Sequence, residues 1–165
     1  MRQFVLGQLM RQFVPYNPVR AFLPPSYWGR RSMYFSHAVD FNTLAASAVA
    51  QTERFNQEIS SDFLCLSLSC VCTTLADGAT EQSFWEFTAQ ISAASGGSFW
   101  GANYQHAGNL FGRMSVDGAG PKYLEYGQLV PGGETITVSL NNLEAFARRI
   151  WITFHGVKIF RDVWE

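Results

Sequence analysis

Apolar and polar residues alternate with a period of two along much of the chain, most clearly near its end. From Glu134 to Leu140, Ile136, Val138 and Leu140 fall on one side while Thr135, Thr137 and Ser139 fall on the other, as a half-buried β-strand requires. After Asn141-Asn142 the pattern resumes with Ile150, Ile152 and Phe154, then changes parity after Gly156 to Val157 and Ile159. One extra residue in a strand has that effect. A bulge or bend is therefore expected at Gly156, turning Lys158 and Phe160 outward.

The same alternation predicts earlier strands. Leu64, Leu66, Leu68, Cys70 and Cys72 share one side of a central strand whose other side carries Cys65, Ser67 and Ser69. Asp77-Gly78 marks the following turn, and Trp85, Phe87, Ala89 and Ile91 then alternate with Glu86, Thr88 and Gln90. Weaker patterns suggest strands over 33–41 and 51–59, the latter with Phe55 and Ile59 on one side and a turn at Ser60-Ser61-Asp62. Residues 43–50 read equally as a helical turn or a loop. No long strand is visible between Ala93 and Gly133, yet a structureless stretch of that length is rare in a compact domain. Short strands are expected near 109–116 and 123–130. Strands at this spacing without helical periodicity predict an all-β fold, an antiparallel β-sandwich or jelly roll, over residues 32–165.

Charge divides the chain differently. The first 31 residues carry Arg2, Arg11, Arg20, Arg30 and Arg31 and no acid, leaving seven basic and thirteen acidic residues for the rest, a net of −6. A basic arm thus precedes an acidic body. The arm repeats Arg-Gln-Phe-Val at residues 2–5 and 11–14, and Pro15, Pro18, Pro24 and Pro25 forbid a continuous helix. Such an extended segment cannot bury Phe4, Phe13, Tyr16, Phe22, Tyr27 and Trp28 by itself. These aromatics, with the five arginines, are the candidate partner-binding residues, docking on the body or on a neighbouring subunit. The arginines are sparse for nucleic acid. The prolines interrupt the helix that binding to a membrane surface needs, and no apolar run reaches the ~18 residues of a span.

Motifs for chemistry are missing from the sequence. There is no phosphate-binding glycine loop, no nucleophile elbow and no His-Glu-x-x-His, and the three histidines are scattered singly. No catalytic residue, metal or cofactor is assigned, and the expectation is a non-enzymatic protein. Cys70 and Cys72 sit two apart on one strand, where the Cα separation of about 6.5–7 Å is at or past the limit for a disulfide. With Cys65 they read as buried free thiols. A better functional lead is the Gly-rich region with Phe99, Trp100, Tyr104, His106, Tyr123 and Tyr126. These can cap the open end of the sandwich, meet a protein partner, or stack on sugar rings.

The segments Asp62-Phe-Leu-Cys-Leu66, Phe84-Trp-Glu-Phe-Thr88, the run from Val130 to Leu143, and Ile150-Trp-Ile-Thr-Phe-His-Gly-Val-Lys158 resemble small β-sandwich virion proteins of tailed bacteriophages. These are head decoration or cement proteins and related head–tail collar components. The resemblance spans about residues 46–160. It implies a virion protein, a homo-oligomer such as a trimer or dimer, bound to major capsid protein or head–tail connector subunits and reinforcing them. The alternatives are a collar or tail component, or a glycan-binding module that uses the loop aromatics. An arm too apolar to stay solvated and too extended to fold alone suits an inter-subunit strap.

Overall fold

The alternation becomes eight strands in the computed structural model, which describes residues 23–74, 86–96, 103–111 and 121–161. They are β1 (Ser32–Leu44), β2 (Gln51–Asn56), β3 (Ser61–Thr74), β4 (Phe87–Ala93), β5 (Gln105–His106), β6 (Lys122–Val130), β7 (Thr135–Asn142) and β8 (Arg148–Phe160). A short helix, α1 (Ala107–Phe111), follows β5. Sheet A has the order β1-β8-β3-β6 and sheet B the order β2-β7-β4-β5, with every neighbouring pair antiparallel. Successive strands mostly cross from one sheet to the other, so the chain wraps around its core. Eight strands wound in this way form a jelly roll, as expected.

Each sheet turns its apolar side inward. Val39 and Phe41 of β1, Leu68, Cys70 and Cys72 of β3, and Ile150, Ile152 and Phe154 of β8 meet Phe87, Ala89 and Ile91 of β4 and Ile136, Val138 and Leu140 of β7. Leu110 and Phe111 of α1 join this core. A helix therefore occupies the described part of the segment where a strand was expected near residue 109; residues 112–116 lie outside the described set. The other expected short strand is β6.

Gly156 is not the site of a bulge. β8 keeps an unbroken register against β1 from Ile159 opposite Ser32 to Ile150 opposite Phe41. The irregularity lies in β3, where Cys65 pairs with Gly156 and Ser67 with His155, leaving Leu66 as the extra residue. Phe63 and Cys65 therefore face inward before the bulge, and Leu68, Cys70 and Cys72 after it. Leu64 and Leu66 face the other way, in a separate cluster with Val157 and Ile159. The parity change after Gly156 thus reflects a strand that is covered on both sides at one end. Lys158 stays on the inward side, 8% exposed, rather than turning out.

Two further expectations change. β2 stops at Asn56, and Ile59 is 77% exposed on the turn into β3 instead of packing beside Phe55. The buried Gln57 ends the strand: its amide donates to the Ser61 carbonyl at 2.9 Å and to Ser61 Oγ at 3.0 Å. Asp62 lies within β3 rather than in the turn. Residues 45–50 form a loop in which Ser47 and Ala50 take positive φ.

Candidate functional site

Sheet A presents an outer face whose two ends are treated differently. At one end Leu64, Val157 and Ile159 are fully buried, covered by Leu23 and Tyr27 from the segment ahead of β1. Pro24 and Pro25 start a tight 3-10 turn over Pro25–Tyr27, closed by Tyr27 N–H to Pro24 O at 2.9 Å and Trp28 N–H to Pro25 O at 3.0 Å. Arg31 then accepts the Phe160 N–H at 2.9 Å through its carbonyl, and its guanidinium lies 3.9 Å above the Phe160 ring. Arg30 caps the Tyr27 ring at 4.7 Å and donates to Ser26 O. The last nine residues of the predicted arm are thus strapped onto the same chain.

Asp62 anchors this strap. Its Oδ1 accepts the Gly132 N–H at 2.7 Å and two bonds from Arg161, Nη2 at 2.9 Å and Nε at 3.2 Å. The Tyr27 hydroxyl acts on the same carboxylate. Burial alone pushes the carboxyl up, but the Gly132 amide, Arg161 and Tyr27 together outweigh it and hold Asp62 below its ordinary range. Burial, then the bond to Asp62, raises the Tyr27 phenol. Gly132 is fixed by space: a Cβ there would lie 2.6–2.7 Å from the carbonyl oxygens of Ser61, Glu58 and Ile59.

Beyond the strap, Tyr34, Ser36, Asp40 and Val71 of the outer face are exposed. On β8, His155 points outward between the flanking strands, with Nδ1 3.1 Å from Ser36 Oγ of β1 and Nε2 2.7 Å from Ser69 Oγ of β3. Tyr34, 84% exposed, stands beside them on β1. Tyr34, Ser36 and His155, with the cross-strand pair Phe35 and Gly156, line a cleft of about 450 Å³. Farther along, Arg149 lies 4.3 Å over the Trp151 ring and pairs with Asp40 at 2.8 Å. Tyr123, exposed on the edge strand β6, is opposite Ser67.

The inward side holds its own polar group at the same end of the sandwich. The His37 ring stacks on Phe55 at 4.2 Å and meets Phe35 and Phe63 edge-on at 4.9 Å each. Its Nε2 is 2.9 Å from Gln57 Oε1. Lys158 Nζ lies 5.1 Å above the Phe35 ring and pairs with Glu58 at 2.5 Å. Burial lowers the His37 imidazole below its ordinary value against the bond to Gln57, with the Lys158 charge acting in the same direction as burial.

The residues singled out in the sequence are dispersed. Arg2, Phe4, Arg11, Phe13, Tyr16, Arg20 and Phe22 lie outside the described residues, as do Phe99 and Trp100. Tyr27 is docked and Arg30 and Arg31 stack as above, whereas Trp28 is exposed, its Nε1 donating to Leu23 O at 3.3 Å. Tyr104 and His106 sit at β5 on the edge of sheet B, where His106 Nδ1 accepts the Gly108 N–H. Tyr123 and Tyr126 belong to β6 on the edge of sheet A, and the side chain of Tyr126 lies outside the described set. Lys122 donates to Asn109 O and ties β6 to α1. Tyr104 and Tyr123 therefore border one flank of the sandwich without forming a common site.

The group the sequence did not isolate is Tyr34–Ser36–His155–Ser69. Its signal was present as outward parity on three strands, but only the order β1-β8-β3 makes those strands neighbours. Among the described residues no three His, Cys, Asp or Glu side chains are grouped to hold a metal ion. The three cysteines are free and buried. The sequence matches no protein-family model and no curated protein.

Proposed function

We propose that the chain is a non-enzymatic structural protein of a tailed-bacteriophage virion, acting as a capsid decoration or cement protein through its N-terminal segment and its sandwich. The jelly roll serves capsid subunits, lectins and cupins alike, so the fold alone does not decide among them. The observation that carries the reading is the strap over the outer face of sheet A. Residues 23–31 are held there by Tyr27, Asp62, Arg161 and the Arg31–Phe160 stack. This fixes, on an acidic body, the point from which Arg2, Arg11 and Arg20 and their neighbouring aromatics extend in sequence. A basic segment rooted on an acidic domain suits attachment between like subunits or to a lattice. The packed apolar interior favours a building block over a cupin-type interior site.

Co-expression with candidate major capsid and connector proteins, followed by particle reconstruction, tests this. The expected result is ordered density for the protein on the head lattice, or at the vertex if it is a collar component. A chain lacking residues 1–22 is expected to fold but to lose particle binding and self-association. Undiminished particle binding by that truncation, or particles that never carry the protein, would overturn the proposal.

A further inference from the structure

We propose that the cleft beside Tyr34 on the outer face of sheet A is a binding site for a neutral sugar, a pyranose unit of a glycan. Its lining includes neither Tyr104 nor Tyr123, and it stands whether or not the chain is a virion component. It is a shallow, open depression of about 450 Å³, which suits a ligand lying across the sheet. Four features define the ligand.

Tyr34 offers an aromatic ring to solvent at the lip of the cleft, a surface on which the apolar face of a sugar ring can lie. The Ser36 and Ser69 hydroxyls each meet one ring nitrogen of His155. A hydroxyl carries one hydrogen and two lone pairs, so the exposed Ser36 keeps hydrogen-bonding capacity for a ligand hydroxyl, and its geometry is set in advance by the histidine. Such pre-set polar groups are what give weak ligands orientation at low entropic cost.

The lining contains no carboxylate, ammonium or guanidinium. The nearest charges along these strands on this face, Asp40 and Arg149, neutralise each other. Among the described lining residues an ionic ligand finds no carboxylate, ammonium or guanidinium as counter-charge, whereas a polyhydroxylated neutral one needs none. The floor is the cross-strand pair Phe35 and Gly156. Tyr34 is paired with Val157, which lies in the cluster capped by Leu23 and Tyr27. The cleft thus opens where the covered part of the face stops.

The test uses the full chain, displayed multivalently on an array of neutral and acidic glycans, with saturation-transfer NMR against free glucose, galactose, mannose and N-acetylglucosamine. Binding to at least one neutral glycan is expected, weakened roughly tenfold or more by Tyr34→Ala. Ser36→Ala is expected to weaken it as well, and Tyr104→Ala to leave it unchanged. Both test residues are exposed, and unchanged melting temperatures will show that the variants fold. The proposal is overturned by the absence of any neutral glycan on the array, by binding confined to acidic glycans, or by binding that survives Tyr34→Ala.

Discussion

Gly156 of β8 and Leu64 of β3 come so close that a Cβ on residue 156 would overlap the Leu64 carbonyl oxygen and lie 2.9 Å from its carbonyl carbon. The approach is made by the β3 bulge at Leu66, which draws the two backbones together at the Cys65–Gly156 pair. Backbone cannot rotate away as a side chain can. Gly156→Ala is therefore expected to destabilise the protein by about 3 kcal/mol, or to prevent folding, because two central strands of sheet A must separate. Chemical denaturation measures this, and a loss below about 1 kcal/mol would contradict the geometry.

Release of the strap is expected to follow loss of Asp62. The carboxylate is nearly fully buried and serves Gly132 and Arg161 together, with the Tyr27 hydroxyl acting on its charge. Asp62→Asn should cost about 2 kcal/mol, as for other charge-assisted bonds. It should also speed tryptic cleavage after Arg30 and Arg31 more than cleavage elsewhere, and Tyr27→Ala should do the same. Uniform acceleration at all sites would point to global unfolding instead.

Acid should weaken the fold through His37. Its folded-state value is depressed, chiefly by burial in the ring of Phe35, Phe55 and Phe63, with Lys158 close by. The unfolded chain then binds the proton more readily. The contribution is complete above the unfolded value near 6.5 and is lost as pH falls from there toward the lower folded value. The melting temperature should drop between about pH 7 and pH 5, and His37→Phe should flatten that slope even if it lowers stability overall. An unchanged slope would exclude this histidine as its source. Asp62, also depressed, adds a second loss of the same sign at lower pH, starting near the ordinary aspartate value of about 4.

The thiols should be silent in the native state. Burial pushes Cys65 up to about 12 and Cys72 up to about 11, and raises Cys70 well above its ordinary value. Thiolate is the reactive form, so thiol reagents at mildly alkaline pH should label none of the three until the protein unfolds. The labelling rate should then report the opening of sheet A. Rapid native-state labelling at any one of them would show that β3 opens locally.

Period-two alternation was enough to find β4, β7 and β8, because each buries one side against the other sheet and the residue pattern records that burial directly. β3 was found but mis-phased. A bulge moves one residue without changing composition, so Leu64 and Leu66 looked like continuations of Leu68. The glycine that stood out in sequence was the partner of the bulge, on the opposite strand.

By itself, the sequence determined an all-β sandwich, a basic segment before an acidic body, and cysteines kept as buried thiols. Each follows from local spacing or from counting charges. Tertiary structure decided which strands are neighbours, and hence that Tyr34, Ser36, His155 and Ser69 form one group although Ser36 and His155 are 119 residues apart. It also decided that Tyr27 folds back onto Asp62 and that Lys158 turns inward to Glu58. Alternation states which side of a strand a residue occupies. What covers that side depends on contacts between distant segments, which no local pattern encodes.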